Sequence, residues 1–315
     1  MSTPTDVNPS YLDWSKQGKG RWWRYLIGSV LLMMIWSAGS LFSLPVFWVD
    51  PAAIGVDTGT PAAAWTSSLA LLVSFVGLFL GVPLVVRFLH KRPWRTVITP
   101  YSKLNFRLMG RGALYWFVPL IVMSVVVSLL DSDGLRLTDD YGDWARMVLV
   151  VLALVWMQTT AEELFFRGYL MQWVSLASRR KWVIALASGF LFTVPHLSNP
   201  EVTSQLGFDA LVMSSIYFTT GFALGWVSVV SGTIELAIGA HWINNVVSFL
   251  LIAPEQSVAT GSLFVDASPD VTLAAIGNLV VVVVFIVLCR RHKGSGEVVP
   301  LPQKAQDGAV VAASA

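Results

Sequence analysis

Three groups of polar residues stand inside stretches of chain that are otherwise apolar. Glu162, Glu163 and Arg167 fall in AEELFFRGYL, His196 closes FTVPH, and His241 opens HWINN with Asn245 four residues on. A carboxylate and an imidazole aimed at one water form a general-base pair able to deprotonate it. A second imidazole and an amide supply donors for the oxyanion of a tetrahedral intermediate. These are the parts needed to hydrolyse a peptide bond without a covalent nucleophile. No GxSxG elbow occurs, and the single cysteine, Cys289, lies in a Val-rich run. One cysteine also rules out an intramolecular disulfide and a thiolate metal cluster.

Spacing organises these groups. Glu163 and Arg167 are four residues apart and share a helix face, so they can pair. Glu162 points about 100° away and is free to face something else. His241 and Asn245 also share a face, one turn apart, and this register favours Asn245 over Asn244. Each group has a plainer reading. Glu163 with Arg167 serves equally as a buried ion pair that orients a helix. A histidine or asparagine in a membrane helix often bonds a neighbouring helix and nothing more. What argues for a site is convergence. Glu162 lies about 24 Å before the break at Ser178 and His196 about 22 Å after Lys181 along ideal helices. His241 and Asn245 follow the turn near Ser231 by roughly 12–18 Å. An ionisable group at such depth costs about 2.5–3.5 kcal/mol even on the lenient insertion scale, which is hard to justify three times over without function.

The elements that must carry these residues are membrane helices. Of 315 residues, 55% are hydrophobic and only 13% charged, about half the charged share of a soluble domain. Reading for apolar runs of roughly 20 residues gives eight spans, near 23–49, 65–89, 112–131, 144–177, 182–197, 209–230, 233–253 and 271–290. The runs are continuous, not the short alternating segments of a barrel. The expected fold is all-α, a polytopic membrane helical bundle. Basic clusters at 16–24, 91–111, 179–181 and 290–293 alternate with acidic loops carrying Asp131, Asp133, Asp139, Asp140 and Asp143. By the positive-inside bias, this predicts both termini in the cytoplasm.

Residues 1–22 then form a cytoplasmic segment without a signal-peptide core, 23–290 a single membrane-embedded domain, and 291–315 a disordered tail. Span five is short, with Pro195 before His196, and reads either as a full crossing or as a tilted, partly re-entrant helix. The basic stretch 90–111 reads either as a helix on an anionic surface or as an ordinary loop. His90 and His292 fall in basic segments where an imidazole costs little.

The motifs Glu162-Glu163-x-x-x-Arg167, Phe192-x-x-x-His196 and His241-x-x-x-Asn245, in order on successive spans, resemble those of the CPBP family, the type II CAAX prenyl endopeptidases and bacteriocin-processing enzymes. The similarity covers roughly 145–250. It implies that Glu162 and His196 activate a hydrolytic water, that His241 and Asn245 stabilise the oxyanion, and that Glu163 and Arg167 brace the site. It further implies a multi-pass protein of the cell membrane acting without cofactor on a peptide or membrane-protein substrate, with or without a lipidated C-terminus. Nucleic acid has no part in it. Two alternatives stay open. One is a zinc metalloprotease with Glu162, His196 and His241 as ligands and water in the fourth position, though no HExxH helix is present. The other is a non-catalytic protein: a bacteriocin-immunity or scaffold protein, or a transporter whose buried charges relay protons.

Overall fold

The computed structural model describes residues 9–258 and 261–301 and is a bundle of membrane helices. Helix α1 (Trp22–Gly39) runs on as a 3-10 helix to Trp48. Helices α2 (Ala64–Ser74) and α3 (Val76–Phe88) make one rod interrupted at Phe75. After α4 (Phe106–Leu130) and strand β1 (Leu135–Leu137), α5 (Tyr141–Glu163) passes through a π-helical run at Leu164–Leu170 into α6 (Met171–Ala177). Then come α7 (Lys181–His196), the single turn α8 (Pro200–Thr203), α9 (Phe208–Ser231) and α10 (Glu235–Leu250). Strands β2 (Ile252–Pro254) and β3 (Phe264–Asp266) precede α11 (Val271–Cys289).

Six of these segments are long and apolar enough to cross a bilayer by length and composition. They match six of the eight expected spans, which makes the chain an all-α polytopic membrane protein. The two remaining expected spans are also helical but shorter, α7 and α10 having 16 residues each, or about 24 Å. On α4, Leu114, Val118, Val122, Val125 and Leu129 form an exposed apolar stripe at helical spacing, the pattern of a face turned to lipid and not to water.

The helices pair closely where small residues allow it. Helix α10 packs on α4, and α7 on α9. A Cβ at Gly239 would overlap the Met109 carbonyl of α4, and one at Gly221 would press on Phe192 of α7. Both glycines flank residues singled out above. At the end rich in acidic loops, β1, β3 and β2 form a three-stranded sheet, antiparallel between β1 and β3 and parallel between β3 and β2. Arg136 pairs with Glu255 there.

The basic end departs from expectation. Residues 11–16 form a 3-10 helix capped by Ser10, with Tyr11, Leu12, Trp14 and Ser15 buried against the bundle. The amide of Tyr11 donates to the carbonyl of Gly232 at 3.0 Å. Its hydroxyl donates to the carbonyl of Arg167 at 2.9 Å, and its own carbonyl accepts from Gln172 Nε2 at 2.8 Å. Arg92 is buried and donates to Trp14, Tyr25 and Gln172. His90 is fully buried, with Nε2 2.8 Å from the hydroxyl of Tyr169. Burial and then the nearby Arg92 guanidinium push its imidazole down to about 4. It is therefore not a surface histidine. The stretch 90–111 is no surface helix either, since Thr96, Val97, Ile98 and Thr99 turn inward. Nor is 291–301 loose. Tyr101 bridges to Val298, and its hydroxyl donates to Gly294 at 2.7 Å. The remaining tail, 302–315, lies outside the described residues.

Candidate active site

Glu163 and Arg167 are fully buried. Arg167 Nη1 donates to Glu163 Oε1 at 2.7 Å across the start of the π-helical run. Such runs of i→i+5 bonding are rare and cluster at functional sites. The same oxygen accepts from His241 Nδ1, also at 2.7 Å. A carboxylate can only accept here, so Nδ1 of His241 carries the proton and Nε2 is turned elsewhere. It faces Glu162 Oε2 at 3.6 Å, too long for a hydrogen bond. His241 thus stands between the two adjacent carboxylates.

Glu162 is 6% exposed. Its Oε1 accepts from Gln158 Nε2 at 2.6 Å, one turn earlier on α5. Its Oε2 is buried and makes no hydrogen bond among the described residues. Gln158 Oε1 in turn accepts from Asn245 Nδ2 at 3.0 Å. Asn244, in contrast, accepts from Trp116 Nε1 on α4 and ties α10 to that neighbour. Its Nδ2 donates to Asn245 Oδ1 at 3.1 Å, so Asn244 reaches the cluster through Asn245, which itself bonds Gln158.

His196 joins through Phe192. The Phe192 ring centroid lies 4.4 Å from that of His196 and 5.6 Å from that of His241. It also lies 4.2 Å from the Arg167 guanidinium. His196 Nδ1 donates to the Phe192 carbonyl at 2.6 Å, which leaves Nε2 as its free nitrogen.

All six residues picked out in the sequence therefore fall in one region built by α5 with its π-helical run, α7 and α10, four of them buried and His196 and Asn245 half-buried. Their depths agree because α10 begins inside the protein. Thr233 and Ile234 bond the Ile98 carbonyl, and residues 231–241 are all buried. This raises His241 to the level of Glu162. Gln158 is the residue that sequence reading missed, although a glutamine one turn before Glu162 in an apolar span was visible. Among the described residues, no three His, Cys, Asp or Glu side chains are grouped to hold a metal ion.

The fold is that of a polytopic membrane protein, and its interior gathers carboxylates, imidazoles and an amide in one cluster. Residues 144–247 match the family described as Type II CAAX prenyl endopeptidase Rce1-like. Over 256 residues, the chain is 30% identical to the uncharacterized protein YyaK of Bacillus subtilis strain 168, covering 79% of this chain and 84% of that one. The chain belongs to the Rce1-like family of type II CAAX prenyl endopeptidases. Membership implies a CAAX-protease-like intramembrane endopeptidase acting on a peptide or protein in the membrane.

Proposed function

We propose that the protein cleaves a peptide bond with a water activated by Glu162 and His196, the oxyanion being held by His241 and Asn245. The observation that carries this reading is the divided role of the Glu162 carboxylate. One oxygen is fixed by Gln158, while the other is buried, without a hydrogen bond among the described residues, and turned to an imidazole. A buried, unpaired acceptor is costly, and a base poised for a water is one physical reason to keep one.

The proton on Nδ1 of His196 is committed to Phe192, so its Nε2 is the nitrogen able to share the water with Glu162. As water attacks the carbonyl carbon, its proton passes to this pair and is returned to the leaving amine when the C–N bond breaks. His241 donates from Nε2 only when its ring carries both protons, Nδ1–H being held by Glu163. Asn245 uses one amide hydrogen on Gln158 and keeps a second for the oxyanion. Glu163 and Arg167 brace His241. The protein would sit in the cell membrane with both termini cytoplasmic, the basic end inside. Its substrate would be a peptide or membrane protein, with or without a lipidated C-terminus.

Glu162→Gln keeps the shape of the side chain and removes the base. Peptides released from membranes holding wild-type or variant protein, read by mass spectrometry, should fall at least about 100-fold in rate. Release at the wild-type rate would sink the assignment. A zinc mechanism separates by a second measurement. Activity here should survive strong chelators; stoichiometric zinc lost together with activity would replace water activation by a carboxylate with metal chemistry.

A further inference from the structure

A third buried carboxylate stands beside Glu162 and Glu163 and takes no part in the chemistry above. Glu201, on α8, is 7% exposed. Its Oε1 accepts from the hydroxyl of Tyr217 and from Asn199 Nδ2 at 3.2 Å. Its Oε2 accepts from the amide of Val258 at 3.1 Å. Asn199 Nδ2 also reaches the Tyr217 hydroxyl at 3.1 Å. Three parts of the chain thus meet on one side chain: the link from α7 to α9, α9 itself, and the loop between β2 and β3.

The ring of Tyr217 stacks on that of His196, with centroids 4.4 Å apart and planes 28° apart. Phe192 lies against the same imidazole at 4.4 Å. His196 is therefore held between two aromatic rings, of which only Tyr217 has a polar tether. The torsion that turns an imidazole about its bond to Cβ is soft and nearly two-fold. A half-turn would remove Nδ1 from the Phe192 carbonyl and change which ring atoms the site meets. One hydrogen bond from an otherwise mobile ring, at a half-buried position, is a thin restraint by itself.

We propose that Glu201 and Tyr217 are positioning residues for His196. Glu201 pins the tyrosine hydroxyl, and the pinned ring holds the imidazole in the plane that keeps Nδ1 on Phe192 and Nε2 free. The proposal deepens the catalytic reading of His196 and rests on it for its meaning, but its test does not need catalysis.

The test uses the full chain in lipid nanodiscs with nitrogen-15 in its histidine rings. The protein has four histidines, and His196→Gln identifies the His196 signals by their loss. In the wild type, His196 should show one protonated nitrogen and one unprotonated nitrogen. In Tyr217→Leu, the two shifts should move towards each other as the ring exchanges tautomers, while the signals of His90 and His292 stay in place. Tyr217→Phe and Glu201→Gln, which keep side-chain volume, should give part of that change. They carry the test if the leucine variant fails to fold. Wild-type His196 signals in both conservative variants, or in a folded Tyr217→Leu, would overturn the proposal. In the peptide-release assay, the same variants should lose about 10- to 100-fold in kcat with KM unchanged. If His196→Gln keeps full activity while the tautomer effect is present, the positioning stands and the catalytic reading of His196 falls.

Discussion

Glu163 holds two donors on one oxygen, Arg167 Nη1 and His241 Nδ1, each at 2.7 Å. Removing its charge strands a guanidinium that is fully buried. Breaking such a pair from one side costs about 3–5 kcal/mol, whereas replacing both partners by apolar groups costs far less. Glu163→Gln should therefore lower the melting temperature in detergent markedly, and Glu163→Gln combined with Arg167→Met should recover much of the loss. A double variant no more stable than the single one would show that the pair does not act as a unit. At this scale, much of the site was legible in the sequence, because an ionisable residue in an apolar run announces itself. Glu162, His196 and His241 stood out in that way, and Asn245 followed from its helical register with His241. Glu201 and Tyr217 did not. Glu201 lies in a connection between spans, where an acid is unremarkable, and only the folding of that connection buries it.

Helices α4 and α10 cross closely enough that Gly239 sits on the Met109 carbonyl, two residues before His241. Gly239→Ala should force these backbones apart, at a cost of about 1–3 kcal/mol for overpacking. Because α10 carries both His241 and Asn245, the protein should remain membrane-inserted yet lose peptide release; unchanged melting and activity would contradict this crossing. The apolar runs located the long helices within a few residues, as comparison of 23–49 with Trp22–Trp48 and of 271–290 with Val271–Cys289 shows. The larger miss was the start of α4, at Phe106 and not 112. There Asn105 caps the helix by accepting from Leu108, and Arg107 and Arg111 ride on its first turns. Counting apolar residues discards such charged first turns, although long cationic side chains can reach back to the interface.

Across the whole molecule, the segments that sequence reading set aside as tails close the basic end. Composition made them polar and therefore apparently solvated; the contacts of Tyr11, Trp14 and Gly294 are made over long sequence distances that no local pattern reveals. His90 gives this closure a pH dependence. Its folded value is depressed to about 4, so between there and the ordinary value near 6.5 the unfolded chain binds a proton that the folded one refuses. Stability is then complete above about pH 6.5 and falls as pH drops towards 4, by an amount on the order of 3 kcal/mol. Wild-type melting temperature should decline over that interval, and His90→Gln should flatten the decline; parallel curves would remove His90 as the cause.

The docking of Tyr11 also sets an order of events during synthesis. Its partners Arg167 and Gln172 lie 156 and 161 residues further along the chain, and Gly232 lies beyond both. A segment made well before α9 can complete this set of bonds only after α9 has left the ribosome. A chain halted before that point would hold its earlier helices in lipid with this side of the bundle's base still open, a gap that only later chain can close.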